Sequence, residues 1–168
     1  AFFSKGYRKG YIASSFDGAY MHKNWGSHPL LDNQYSSAYF QIEHSGTELT
    51  RMQKTAQVAD WPAGLHNIRV CQNDSTGSRN CGTCEKCIRT MTMLEGLGKL
   101  RSCRAFPEND IDTERLNYLV DYDMLFDPEQ IYLYKMAVPL LKKRGRFDLA
   151  DRLTEIFDAF FEKKVYAV

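Results

Sequence analysis

The chain has 168 residues, 43% hydrophobic and 13% aromatic, enough for one globular domain with a small appendage and unlike the composition of a disordered segment. Its 22 basic and 21 acidic residues nearly cancel, which excludes a global field for nucleic acid or an anionic membrane. No apolar run approaches the roughly 20 residues of a transmembrane helix.

In chain order, residues 10–14 (GYIAS) read as a short buried strand opening into a loop at Ser14-Ser15. The stretch that follows, through YMHKNWGSHPLLDNQYSS, is too long for a plain connector. Its Trp25, Leu30, Leu31 and Tyr35 predict an ordered loop. Tyr39 to Glu43 reads as a second strand. Thr47 then caps a helix to about Asp60, with Leu49, Met52, Ala56 and Ala59 at core spacing, and Trp61-Pro62 stops it. Residues 67–71 (NIRVC) read as a third strand. A helix from about Cys84 carries Ile88, Met91, Leu94 and Leu97 on one stripe and ends at Gly98. Alternating strands and helices predict a parallel α/β sheet over 1–104.

Beyond Pro107 the pattern is helical, so 105–168 is expected to be an all-helical extension. Asp127-Pro128-Glu129-Gln130 is a helix start with Asp127 as cap; Pro139 kinks or ends that helix. Gly145 precedes a final helix striped by Leu149, Leu153, Ile156, Phe157 and Phe160. The run KKRGR at 142–146 reads as a solvated helix end or a basic patch. These helices are expected to cap the sheet or to make a homo-oligomer contact.

Four of the five cysteines, Cys71, Cys81, Cys84 and Cys87, stand in VCQNDSTGSRNCGTCEKC. A C-x2-C knuckle delivers two thiolates from one tight turn; Gly82 and Thr83 suit that turn, and Gly77 lets the longer loop return to Cys71. Four sulfurs with no open position predict a structural zinc ion (Zn2+) in the loop 71–87. An iron–sulfur cluster is the alternative, although the usual ferredoxin run continues to a fourth cysteine followed by proline, and position 91 is Met. The odd count and the lack of an apolar leader weigh against a disulfide framework, and reduced thiols point to the cytoplasm. Cys103 reads as an ordinary buried residue.

The strand, the cysteine loop and the helix after it resemble the C-terminal half of the PP-loop ATP pyrophosphatases, in the adenine nucleotide alpha-hydrolase-like superfamily. The similarity is to its 7-cyano-7-deazaguanine synthase branch. Cys71, then Cys81-Gly82-Thr83-Cys84-Glu85-Lys86-Cys87 and Arg89 carry it, with 25–37 and the helix bearing Arg51 and Lys54 in support. The resemblance covers about residues 10–100 and implies part of a Rossmann-like parallel sheet. The first loop is about two residues longer than in that branch, and nothing here resembles the family's S-G-G-x-D-S phosphate loop. Ser75-Thr76-Gly77-Ser78 lacks its Asp and its helix. Together with the absence of an initiator Met before Ala1, this implies that an N-terminal half carrying that loop lies elsewhere, and that the isolated chain is inactive.

The chemistry implied is an AMP- and pyrophosphate-forming ligation. ATP with Mg2+ is split between the α- and β-phosphates, a small-molecule acceptor takes the AMP, and ammonia or another nucleophile attacks the adenylate. Arg51 and Lys54, on one helix face, are the expected phosphate-binding residues, against the bland reading of a solvated face. Ser14 and Ser15, at a strand's carboxyl end, are expected to touch nucleotide or substrate, or simply to turn the chain. His28 and Asp32 offer a general base with an orienting carboxylate, or a loop tied by its own hydrogen bonds. Arg89 is expected to screen the sulfurs or to reach substrate. The competing function is a zinc-stabilised binding module with no chemistry of its own. Nucleic-acid modification stays open because some family members act on transfer RNA, but the near-neutral charge argues against it.

Overall fold

The computed structural model describes residues 6–20, 22, 26–71, 73, 80–121, 123–125 and 127–165, with side chains to residue 162. Trp25, Gly77 and the residues around Ala1 lie outside the described residues. The chain separates into two compact units, Ala1–Lys54 and Thr55–Val168.

In the first unit, β1 (Lys9–Ala13) pairs in parallel with β2 (Gln41–Ser45), Lys9 opposite Gln41 and Ala13 opposite Ser45. A Lys9–Glu43 ion pair crosses the two strands. Among its described residues the crossover between them holds no α-helix, only irregular backbone with short 3-10 turns at Gly18–Tyr20 and Asp32–Tyr35. Three of the four residues expected to order this loop, Leu30, Leu31 and Tyr35, are exposed. Polar side chains help to order it. Asn33 Oδ1 accepts from the His44 N–H at 3.1 Å, and the Ser36 hydroxyl bonds both the N–H and the C=O of Ile42. These contacts tie the loop back onto β2.

Helix α1 (Arg51–Asp60) starts three residues later than Thr47 would set it. Thr50 and Gln53 form a reciprocal capping box, the Gln53 N–H donating to the Thr50 hydroxyl (3.2 Å) and the Thr50 N–H to Gln53 Oε1 (2.8 Å). Trp61-Pro62 ends α1 as expected and also begins α2 (Pro62–Asn67), where the missing proline N–H costs nothing.

The predicted third strand, 67–71, is not one. Residue 67 closes α2, and 68–71 is irregular backbone. A side chain takes the place of a neighbouring strand. Buried Asn80 accepts from the N–H groups of Val70 (2.9 Å) and Cys71 (3.1 Å) and donates to the carbonyls of Ile68 and Ala105 (both 2.8 Å). With these backbone groups satisfied by one amide, no ladder is required. Among the described residues the sheet is β1 and β2 alone, and no broader Rossmann-like sheet is formed.

Helix α3 (Glu85–Gly96) is the axis of the second unit. Of the expected stripe, Ile88, Met91 and Leu94 are fully buried and Leu97 is half-buried, while Thr92, Met93 and Glu95 on the other faces are buried too. Around it pack α4 (Thr113–Asp121), α5 (Pro128–Lys135) and α6 (Val138–Lys143), and α7 (Phe147–Val165) covers α4 and α6. Polar residues survive this burial because each is satisfied. Thr90 and Thr92 donate to the carbonyls of Lys86 and Ile88 at 2.8 Å. Glu95 pairs with Arg146 at 3.0 Å, and that guanidinium also reaches the Ile111 carbonyl (2.7 Å) and Asp148 (3.0 Å). The basic run 142–146 therefore divides: Lys142, Lys143 and Arg144 are exposed, and Arg146 is committed to this network.

Asp127 caps α5 as expected, accepting from the Glu129 N–H at 2.9 Å. Pro139 starts α6 rather than kinking α5. It has no N–H for the carbonyl four residues back, that of Lys135, and its ring crowds that carbonyl, so α5 does not run on past Lys135.

Candidate functional site: a four-cysteine metal centre

The knuckle forms where the chain turns from the Asn80 anchor into α3. Gly82 has φ +77°, a conformation that side chains resist, and Cys84 is the N-cap of α3. One turn on, Cys87 projects from the helix itself. Cys71 arrives on the segment gripped by Asn80, whose own position precedes Cys81 by one residue, so a single buried amide sets both arms of the site.

The four sulfurs lie within 4.8 Å of one another, with Cys81–Cys87 at 3.8 Å and Cys84–Cys71 at 4.0 Å. A tetrahedral metal with sulfur ligands at about 2.3 Å sets its sulfurs about 3.8 Å apart. The cluster is thus close enough to hold a metal ion, and its soft donor set is compatible with zinc. All five cysteines are free thiols. Cys103 is buried apart from the cluster and donates to the Leu65 carbonyl at 3.1 Å.

Backbone dipoles point at the sulfurs. Cys81 Sγ receives the N–H groups of Thr83 (3.4 Å) and Cys84 (3.3 Å), and Cys71 Sγ that of Asn73 (3.3 Å). Burial works to raise the Cys81 thiol, but the Thr83 hydroxyl and these N–H groups outweigh it and bring the thiol down to about 6. Burial raises the neighbouring thiols of Cys84 and Cys87. Arg89 pairs with Glu85 one turn back at 3.0 Å. Arg115 also reaches the knuckle, donating to the Gly82 carbonyl at 3.0 Å and pairing with Glu108. Nothing in the sequence pattern marks Arg115 or Asn80; both act through the backbone.

In the first unit, Ser14, Ser15, Arg51 and Lys54 come together at the carboxyl end of β1. Lys54 donates to the carbonyls of Ser14 (3.0 Å) and Phe16 (3.4 Å), and Arg51 to that of Ser15 (2.8 Å). Burial, with Arg51 nearby, lowers the Lys54 ammonium below its ordinary value. Asp32 is buried but its ring partner is not His28. Its carboxylate accepts from the Ser27 hydroxyl (2.6 Å), the His28 backbone N–H (3.0 Å) and His44 Nδ1 (2.6 Å). The His28 ring accepts from the Leu30 N–H instead. His44, twelve residues on, gave no signal in the sequence because β2 alone brings it to Asp32.

A comparison with protein-family models, curated proteins and solved structures finds no match for this chain. Among the described residues no helix is long and apolar enough to cross a membrane.

Proposed function

We propose that Cys71, Cys81, Cys84 and Cys87 bind one structural zinc ion, and that the chain is the zinc-stabilised part of an ATP-dependent ligase of the PP-loop type. The observation that carries the zinc is the sulfur spacing at the start of a buried helix, with four thiolates and no open position for substrate. Support for the ligase comes from the convergence of Arg51, Lys54, Ser14 and Ser15 beyond the carboxyl end of a parallel strand, where open sheets bind ligands. Arg51 and Lys54 would face phosphate oxygens, with Mg2+ and the S-G-G-x-D-S loop supplied in the complete enzyme together with the acceptor. The isolated chain is inactive in this reading.

One observation favours the second reading, a zinc-stabilised module without chemistry. The cavity beside Ser14 and Ser15 is about 30 Å³, whereas nucleotide-sized ligands occupy several hundred. Elemental analysis of the purified protein should find about one zinc per chain, and a metal-free folded preparation removes the first claim. In the protein that includes the phosphate-loop half, Arg51→Ala and Lys54→Ala should each slow ATP–pyrophosphate exchange by about tenfold or more, measured below the melting temperature of each folded variant. Wild-type exchange favours the module.

A further inference from the structure

Asp32 accepts three hydrogen bonds and donates none, so its carboxylate is ionised and the proton between it and His44 sits on Nδ1. That leaves Nε2 of His44 as a lone-pair acceptor in the neutral ring. The His44 side chain is only 3% exposed, and Nε2 is a buried nitrogen with no hydrogen-bond partner among the described residues. An unpartnered buried acceptor is costly, and this one belongs to a residue lining a cavity.

The cavity has about 30 Å³ of space, room for roughly one or two water molecules, and is partly open to solvent. Its other walls include Ser15, Tyr20, Ser27 and Thr47, which carry hydroxyls, and Asp17. Among the described residues neither lysine nor arginine lines it; Lys54 and Arg51 stand behind its wall, on the carbonyls of Ser14, Phe16 and Ser15.

We propose that this is a hydroxyl-recognition site, in which His44 Nε2 accepts the hydrogen bond of a water molecule or of the terminal hydroxyl of a small ligand. Asp32 is the positioning residue: it fixes the tautomer and aims the lone pair, as carboxylates do behind catalytic and metal-binding imidazoles. The site stands independently of the zinc, because its residues belong wholly to the first unit; it shares Ser14 and Ser15 with the proposed ligase site, but the His44 tautomer and its response to a hydroxyl are read without ATP chemistry.

The test is ¹⁵N NMR of the histidine side chains in the intact protein, with methanol as the hydroxyl probe and acetonitrile, similar in size but without a donor, as the control. His44 should carry its proton on Nδ1, and methanol should move the Nε2 resonance saturably while acetonitrile does not. Asp32→Asn should weaken the methanol response severalfold. A proton on Nε2 in the neutral ring, an unresponsive Nε2, or equal responses to the two probes would each overturn the proposal. The wild-type measurements decide it even if the variant fails to fold.

Discussion

At the scale of single residues, the second unit depends on polar side chains that each satisfy several backbone groups. Asn80 is the clearest case. Asn80→Ala strands two N–H groups and two carbonyls in a buried place, and should cost on the order of 3 kcal/mol in denaturant melts as well as weakening metal retention. A cost below about 0.5 kcal/mol would mean that the four groups find other partners. Arg146→Ala leaves Glu95 buried without its cation and should cost about 3 kcal/mol or more, with Glu95→Gln milder. In the first unit the Ser27 hydroxyl, then His44 and the His28 N–H, hold the Asp32 carboxyl down to about 2 from an ordinary 3.8. The unfolded chain therefore takes up this proton first as pH falls. The stabilisation is fully present above pH 4 and is lost as pH drops through about 2, so acid should lower the wild-type melting temperature more steeply than that of Asp32→Asn.

At the scale of elements, local punctuation was legible and pairing was not. The Asp127 cap, the stop at Trp61-Pro62, the stripe of α7 and the glycine after α3 all act within a few residues, and each appears where the pattern put it. Gly98 ends α3 in a Schellman motif, with Lys99 N–H on the Leu94 carbonyl (2.8 Å) and Gly98 N–H on that of Glu95 (2.9 Å). Its φ of +70° predicts that Gly98→Ala costs about 1–2 kcal/mol in a thermal melt. The apolar run at 67–71 misled because periodicity cannot register an amide ten residues away that removes the need for a sheet partner. The cysteine spacing was legible since knuckle geometry is local. The Asp32–His44 pairing was not, as strand register alone creates it.

At the scale of the whole molecule, the two units have separate sources of order: strand pairing and loop ties in one, a wrapped helix and a sulfur cluster in the other. Chelation with a strong zinc ligand, or Cys84→Ser, should accelerate amide hydrogen exchange across α3 while leaving β1 and β2 near their starting rates. Uniform acceleration would show one cooperative block. A consequence for assembly lies in Cys84 and Cys87, which stand at the cap and in the first turn of the helix that α4, α5 and α6 surround. During synthesis the thiols at 71–87 leave the ribosome well ahead of residues 113–165. Capture of the ion at that moment would stiffen a short peptide into a ready-made spindle, and the remaining helices would wind onto it as they emerge. A cell starved of metal would then release chains whose oily rod has nothing to hold its end.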